Sequence, residues 1–223
     1  MTAGLQTLGQ GLGLDPVALL DGRERAIANL QAAASIEGGA YHHGDGSFSF
    51  RVRNHTGHKL ITGYPEGRRM WLNIKWYNDQ GALVGEDGAY GPLQTDMDLD
   101  GDGQPDVVET IIDLDGANTE IYEAHYAITR DWAEILQAMH GPGFVLSYDR
   151  ITGNVACTVR QFLDDAPGCT GNYHNTFHFA LNNYVSHDNR IPPYGMSYDE
   201  AKRRNALPVP DTQYGDPGAG GTY

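Results

Sequence analysis

The sequence predicts a mainly β protein: a β-sandwich with a short N-terminal helix, one or two small helices and an extended C-terminal tail. Several short segments in the middle of the chain alternate apolar and polar residues, which is the period of half-buried strands. The 223 residues include 29 Gly and 11 Pro, a content that favours many turns. Repeated short strands separated by turns are typical of β-sandwiches.

By composition, the chain divides into three parts. Residues 1–37 are an N-terminal arm and a linker helix, residues 38–190 form the β-sandwich, and residues 191–223 are a tail rich in Pro, Gly and Tyr. The tail has too little apolar periodicity to fold on itself, which makes it the best candidate for a segment that wraps a neighbouring protein. Within it, the capping box Ser197-x-x-Glu200 indicates one short helix.

Local patterns place the individual elements. Asp15-Pro16 is a helix-start signature, and apolar residues at helical spacing continue to Ile36, before the Gly-rich run 38–46 ends the helix. A second helix is expected over 131–140, ended by the Gly-Pro-Gly that follows. Strands are predicted at 48–52, 69–78, 82–86, 107–114, 119–126, 143–149, 154–161 and 176–185.

Charge and hydropathy exclude two classes of function. The chain has 15 Lys+Arg against 29 Asp+Glu, a net charge of -14, so it repels phosphate backbones and we expect no nucleic-acid partner. No apolar run approaches the roughly 20 residues of a membrane-spanning helix. The start, MTAGLQTLGQGLGLDP, has no secretory signal pattern, which suggests a mature chain or one excised from a longer polypeptide.

The most specific chemical motif is the acidic run DLDGDGQPDVVE at residues 98–109. It fits the D-x-D-x-D-G-x-x-x-x-x-E pattern of an EF-hand calcium loop, in which Gly103 permits the sharp turn. Calcium takes about six to eight oxygen ligands. The expected ligands are Asp98, Asp100, Asp102, Gln104 through its backbone carbonyl, Asp106 and Glu109. The flanks are not helical, so we expect a structural ion in a β context; an acidic surface turn without metal is the alternative.

Two cysteines, Cys157 and Cys169, flank a turn-rich segment. Their spacing fits neither CxxC nor CxxCH, which excludes a zinc ribbon and covalent haem attachment. We expect them to form a disulfide, and closing a loop of this size is worth about 3 kcal/mol in the chain-entropy model. Two buried thiols in a reducing compartment are the alternative.

No catalytic motif is present, so we expect a protein that is not an enzyme. The sequence contains no G-x-S-x-G, H-E-x-x-H or P-loop pattern. Its nine histidines offer no spacing that specifies a transition-metal site, and we expect most of them to be hydrogen-bonded or exposed. His174 and His178, if they share a strand, are separated by about 13 Å, which is too far for one metal ion.

Two long stretches resemble a known family. Residues 54–84, NHTGHKLITGYPEGRRMWLNIKWYNDQGALV, resemble a segment in the C-terminal, haem-free parts of large multihaem c-type cytochromes. Residues 177–196, FHFALNNYVSHDNRIPPYGM, resemble the companion signature, and the helix ERAIANLQAAASIE is similar to the segment that joins the haem-bearing part to this region. The chain departs from the pattern at Ile61, where the family has Pro, and in having no CxxCH.

The resemblance implies an exported β-domain that packs against a multihaem c-type cytochrome, with the haems on a separate chain or on a missing N-terminal portion. It places His58 at the motif histidine, a candidate haem ligand or haem contact. Because the net charge is -14, we expect the partner to be contacted either through a locally basic patch such as Lys59, Arg68 and Arg69, with Arg190 as a further candidate interface residue, or through a mainly apolar surface. Arginine–carboxylate pairing at such positions commonly pins a loop, so both motifs are interpreted first as architecture and second as an interface.

The sequence thus predicts a non-enzymatic, calcium-stabilised β-domain, periplasmic or extracellular, that carries no covalent haem. It would associate with the cytochrome as a scaffold or a haem-shielding part of an electron-transfer assembly, and it could form homo- or hetero-oligomers. A carbohydrate-binding or cell-surface ligand-binding module is the alternative, since 3 Trp and 13 Tyr also suit sugar stacking. An enzyme with an undetected site is the third interpretation.

Overall fold

The structure, a computed structural model, describes residues 13, 15–60, 68–96, 98, 101–112, 119–149, 153–215 and 217–223. Within these residues the protein is mainly β, as predicted. Thirteen strands form six small sheets in the described chain, five of two strands and one of three, and four helices accompany them. No helix in the described ranges is both long enough and apolar enough to cross a membrane.

The helices are α1 (Pro16–Ala32), α2 (Arg130–His140), α3 (Val159–Leu163) and α4 (Tyr198–Arg203). The strands, in chain order, are β1 (Ala34–His42), β2 (Ser47–Asn54), β3 (Met70–Trp71), β4 (Ile74–Tyr77), β5 (Leu83–Asp87), β6 (Tyr90–Gln94), β7 (Val107–Ile111), β8 (Ile121–Tyr122), β9 (Ala124–Thr129), β10 (Val145–Tyr148), β11 (Val155–Thr158), β12 (Tyr173–Asn175) and β13 (Tyr184–Asp188). The pairs β1–β2, β3–β8, β4–β5, β6–β7 and β10–β11 are antiparallel, and β9 lies between β12 and β13.

The chain forms two compact units. The first extends to Leu60 and includes Ile191–Asn205 and Pro217–Tyr223, and the second comprises Ile61–Arg190 and Ala206–Asp216. Residues of the C-terminal tail thus belong to both units.

In the first unit, α1 begins as the sequence predicts. Asp15 caps it by accepting a hydrogen bond from the Val17 N–H at 2.9 Å, and Pro16 occupies the first turn. The helix ends at Ala32, earlier than the predicted Ile36, because Ile36 pairs with β2 instead. The Gly-rich run that was expected only to break the helix therefore continues as strand β1.

A bulge between Glu37 and Ala40 interrupts the β1–β2 pairing. Gly38 takes a φ of 66°, a left-handed conformation that favours glycine. At Gly39 a Cβ would lie 2.9 Å from Cζ of Phe48, so glycine lets this ring pack on the opposite strand. The bulge thus explains why two glycines stand inside a strand.

The tail is less extended than predicted. The helix expected from the capping box is present as α4, and the Ser197 hydroxyl accepts a hydrogen bond from the Glu200 N–H at 3.4 Å. In the second unit, Val209 and Asp188 exchange two backbone hydrogen bonds of 2.9 and 3.1 Å. The described part of the tail therefore packs on its own chain, and the expectation of a segment unable to fold on itself is wrong.

The core of the second unit surrounds β9, α2 and α3. It consists of fully buried side chains from these elements, from β10 and β11, and from the loop after α3: Ile128, Ala133, Leu136, Leu146, Cys157, Val159, Phe162 and Cys169. Helix α2 begins one residue before the predicted start and ends at His140, as predicted; Gly141, whose φ is 88°, caps it. This core packs against the three-stranded sheet, in which His125, His187 and Asp188 lie.

Two predicted strands of this unit are wrong in part. The strand expected over 154–161 ends at Thr158, because the Thr158 and Gln161 side chains form a capping box that starts α3. The strand expected over 176–185 begins only at Tyr184. The preceding residues turn, and the Asn182 amide donates to the Thr176 carbonyl at 3.0 Å across the turn.

Candidate functional site

The predicted calcium loop closes a β-hairpin. Strands β6 and β7 pair as far as Gln94 and Val107, and the acidic run connects them. At the stem, both the N–H and the hydroxyl of Thr95 donate to the Asp106 carbonyl at 2.9 Å. The expectation of a non-helical flank is confirmed on the β7 side. The flank on the other side of the loop, β6, is also a strand.

Asp98 organises the curl of the loop. Its carboxylate accepts hydrogen bonds from the N–H groups of Gly101 at 2.7 Å, Asp102 at 3.1 Å and Gly103 at 2.9 Å. Gly101 and Gly103 adopt φ values of 82° and 84°, which glycine tolerates. A carboxylate has about four acceptor positions, so the bonds from the described residues leave about one that can face a cation.

The other predicted ligands occupy different parts of the hairpin. Asp102 lies in the curl, where its Oδ1 accepts the Gln104 N–H at 2.8 Å. Asp106 is half-buried at the stem, and Glu109 is exposed in β7. Within the described residues the Glu109 carboxylate has no hydrogen bond or ion pair. Asp100 lies outside the described residues.

The donor set of the loop suits calcium. The described ligand candidates offer only oxygen donors, most of them carboxylates, which are the donors that a hard cation prefers. The curl brings Asp98 and Asp102 to one backbone turn, whereas Glu109 lies apart from it in β7, opposite Pro92.

Cys157 and Cys169 form the predicted disulfide. Their Cα atoms are 5.8 Å apart, within the usual range for this bond. The His174 ring nitrogen and the two sulfurs lie within 4.8 Å of one another. Because the sulfurs are bonded to each other, this group does not offer thiolates to a metal ion.

His174 and His178 do not share a strand, contrary to the sequence-based assumption. His174 lies in β12, where its Nε2 is 2.8 Å from the Ser147 hydroxyl. His178 lies in the following turn, with its Nε2 2.8 Å from the Val145 carbonyl oxygen. Burial lowers the pKa of His174, which favours its neutral form. Both histidines are thus hydrogen-bonded within the unit, as expected for most histidines of this chain.

Two stretches singled out in the sequence, residues 54–84 and 177–196, are hydrogen-bonded to each other through residues near their ends. The buried Asn54 side chain donates to the His58 carbonyl at 2.8 Å and to the Ile191 carbonyl at 3.0 Å. The Leu60 N–H donates to the same Ile191 carbonyl at 3.0 Å. Asn54 and Ile191 stand 137 positions apart in the sequence. The first unit therefore combines the start of one signature with the end of the other.

His58 lies at the surface of this junction. Its ring is exposed, and its Nδ1 is 3.1 Å from the Thr56 hydroxyl. The same hydroxyl is 2.7 Å from the His58 carbonyl oxygen. Among the described residues Nε2 has no hydrogen-bond partner. Thr56 thus holds the His58 ring through Nδ1, and the other ring nitrogen, Nε2, takes no part in these contacts.

The Asp188-Asn189-Arg190 segment is part of the architecture of the second unit. Arg190 binds Asp188 through two contacts, Nε to Oδ1 at 2.9 Å and a terminal nitrogen to Oδ2 at 2.7 Å. The Asn189 side chain donates to the Ile121 carbonyl at 2.7 Å and accepts the Glu123 N–H at 2.7 Å. These contacts support the prediction that the motif pins a loop.

The four expected interface cations differ in exposure. Lys59 is only 8% exposed, and the Arg190 side chain is 13% exposed. Arg68 and Arg69 are exposed, and Arg69 Nε lies 3.3 Å from a Glu123 oxygen. Burial lowers the pKa of Arg190, but the hydrogen bond and charge of Asp188 raise it overall. Arg68 and Arg69 therefore offer the most surface to a partner.

Sequence reasoning missed one histidine pair. His125 in β9 and His187 in β13 are opposite each other in the register, and their ring centres are 5.7 Å apart. No local spacing signals this pair, because strand pairing brings together residues from distant parts of the chain.

Comparisons of the chain with protein-family models, with curated proteins and with solved structures found no match.

Proposed function

We propose that this chain is a non-enzymatic, calcium-stabilised β-domain that associates with a multihaem c-type cytochrome outside the cytoplasm. Its role is that of a scaffold or haem-shielding part of an electron-transfer assembly. The observation that carries this proposal is the hydrogen bonding of Asn54 and Leu60 to Ile191. These bonds join the two stretches that resemble cytochrome-associated regions. Such a contact is expected if both stretches come from the same family of proteins.

The calcium ion has a stabilising role in this proposal. Carboxylates of Asp98, Asp100, Asp102, Asp106 and Glu109, with the carbonyl of Gln104, would hold it. Their negative charges repel one another without a cation, and this repulsion opposes closure of the loop. A bound divalent ion neutralises that charge and therefore favours the folded hairpin.

The disulfide supports a location outside the reducing cytoplasm. Disulfides persist in the periplasm and on the cell surface, whereas cytoplasmic thiols are usually kept reduced. The buried Cys157–Cys169 bond is therefore compatible with the extracytoplasmic place of the proposed assembly.

Two exposed features are candidates for the contact with the cytochrome. His58 offers an imidazole nitrogen that can approach a haem edge or a haem iron. Arg68 and Arg69 offer positive charge on a chain whose net charge is -14. Because like charges at an interface cost affinity, local positive charge helps this acidic chain to contact acidic groups such as haem propionates.

Native purification tests the association. The tagged chain, expressed in its own host, is expected to co-elute with a haem-bearing chain that shows c-type cytochrome absorbance. The double substitution Arg68→Glu/Arg69→Glu should reduce the ratio of haem absorbance to protein, because it reverses the local charge. Arg160→Glu/Arg204→Glu is the matched control, since these arginines are also exposed, with 66% of each side chain accessible.

Elution of the wild-type chain without any haem-bearing partner, under conditions that keep it folded, would contradict the proposal. Tight binding of added haem by the purified chain, lost in His58→Ala, would show that the chain carries its own haem. It would then be a haem protein and not only a partner of one.

A cavity in the second unit favours the second candidate function, carbohydrate binding. It has a volume of about 300 Å³ and is lined in part by Tyr148, Asp149 and Phe177. The Tyr148 and Phe177 rings are 56% and 48% exposed, and exposed rings beside a carboxylate suit a sugar ring. Glycan-array binding by the purified chain, abolished by Tyr148→Ala, would support this candidate. The absence of glycan binding would exclude it.

A further inference from the structure

Glu123, His125 and His187 converge on the three-stranded sheet of the second unit. His125 and His187 are directly opposite in the antiparallel β9–β13 pair, so their side chains point to the same face. Glu123 lies immediately before β9, two positions ahead of His125. The contacts agree, because His125 Nε2 lies 3.0 Å from Glu123 Oε1 and the two imidazole centres are 5.7 Å apart.

We propose that these three residues bind a divalent transition-metal ion, zinc above all. Two histidines and one glutamate are an established ligand set for zinc, with three protein ligands and one coordination position left for water. Histidine nitrogens bind zinc at about 2.0–2.1 Å, which places two ring centres on one ion roughly 5–6 Å apart. The observed separation of 5.7 Å falls within this range.

A neighbouring arginine orients one of the three ligands, Glu123. Arg69 Nε lies 3.3 Å from Glu123 Oε2, while the other carboxylate oxygen, Oε1, faces His125. The arginine thus orients the carboxylate and leaves Oε1 for the metal, which is the usual function of a group behind a metal ligand. All three side chains are partly accessible, so an ion can reach them from solvent.

One adjustment completes the site. Among the described residues, only the group of Cys157, Cys169 and His174 already has its ligand atoms within 4.8 Å of one another. Metal binding on this face therefore requires the His187 ring to turn toward Glu123 and His125. Within the described chain no hydrogen bond holds that ring. Its backbone follows a β-bulge, at which the Ser186 hydroxyl donates to the His125 carbonyl at 3.1 Å.

This site differs chemically from the calcium loop. Imidazole nitrogens suit zinc, copper and nickel, whereas calcium prefers oxygen ligands only. The two sites are therefore expected to load independently, and calcium in excess should not displace zinc from the histidines.

The test is a titration of the full chain with zinc chloride, followed by calorimetry, in buffer that contains excess calcium. One zinc ion per chain is expected. A cobalt titration provides a spectroscopic signature, because cobalt bound in a tetrahedral nitrogen and oxygen environment absorbs visible light. Binding of no zinc by the folded wild-type chain would overturn the proposal.

Substitutions assign the site. His187→Ala and Glu123→Gln are each expected to weaken zinc binding by at least about tenfold, since even the loss of a group behind a metal ligand commonly costs that much. His43→Ala, at an exposed histidine of the first unit, is the matched control and should bind zinc as the wild type does. Circular dichroism of each metal-free variant checks that it is folded. If His187→Ala folds and retains wild-type zinc affinity, the proposal is wrong.

Discussion

Arg190 and Asp188 show how a single pair can determine the stability of the second unit. Their side chains are 13% and 6% exposed, and two contacts join them. We expect Asp188→Ala to lower the free energy of unfolding by about 3–5 kcal/mol, because it leaves a buried guanidinium without a counter-charge. Urea denaturation measures this change. Asp164→Ala breaks an exposed pair with Arg160 and should cost no more than about 0.5 kcal/mol. Equal losses in the two variants would contradict the assignment.

His174 gives the second unit a pH-dependent contribution to stability. Burial lowers its pKa in the folded protein below the unfolded value of 6.5. Below that pH the unfolded chain therefore binds more protons at this residue than the folded chain, so stability falls as pH decreases from about 6.5 toward the lowered pKa. We expect His174→Gln to flatten this part of the curve of unfolding free energy against pH. A curve with unchanged slope in the variant would argue against the contribution.

At the scale of secondary-structure elements, the β6–β7 hairpin allows a sharp test of calcium binding. Chelation should lower the melting temperature of the wild type, since an ion in hundredfold excess over its Kd contributes about 2.7 kcal/mol. Asp98→Ala should abolish this response, because it removes both a proposed ligand and the acceptor that organises the curl. Asp45→Ala is the control: Asp45 also accepts a backbone N–H at 2.9 Å, but outside the acidic loop. A wild-type melting curve that chelation leaves unchanged would exclude the site.

The Cys157–Cys169 disulfide links β11 to the loop after α3. Both cysteines are buried in the main core of the second unit, so the native protein should show no thiol that reacts with an alkylating agent. The double substitution Cys157→Ser/Cys169→Ser should lower the free energy of unfolding by about 3 kcal/mol, the loop-closure contribution. Peptide mapping of the non-reduced protein checks the bond. Two alkylated cysteines in the native protein would contradict it.

Local sequence patterns predicted those elements whose signals lie within a few residues. The Asp15 cap, the Ser197 capping box and helix α2 are examples, and the disulfide could be inferred from the cysteine count. Residues 176–183 were mispredicted because FHFAL alternates like a strand, whereas side-chain bonds from Thr176 and Asn182 close a turn there.

The contacts that the sequence did not reveal depend on strand pairing. The register that places His125 opposite His187 has no local pattern, and neither does the bond from Asn54 to Ile191. The candidate calcium ligands were predicted from their spacing alone. The separation of Glu109 from the curl that holds Asp98 is a property of the hairpin, and only the structure reveals it.

At the scale of the whole molecule, the C-terminal segment contributes residues to both units. Ala206–Asp216 belongs to the second unit, and Pro217–Tyr223 belongs to the first. In the second unit Val209 exchanges two backbone hydrogen bonds with Asp188, and the Tyr214 hydroxyl donates to the Asn189 carbonyl. The segment is thus part of the fold of both units.

Truncation tests this conclusion. We expect a chain that ends at Asn205 to lose about 2 kcal/mol or more of unfolding free energy in the second unit, because two strand-type hydrogen bonds and the Tyr214 contact disappear. A chain that ends at Gly215 retains these contacts, so the second unit should keep its stability. Hydrogen exchange of the β9 and β13 amides, measured in both truncated chains, separates this effect from changes in the first unit. If both truncations leave β13 protected as in the wild type, the segment does not stabilise the second unit and would again be a candidate for contact with a partner.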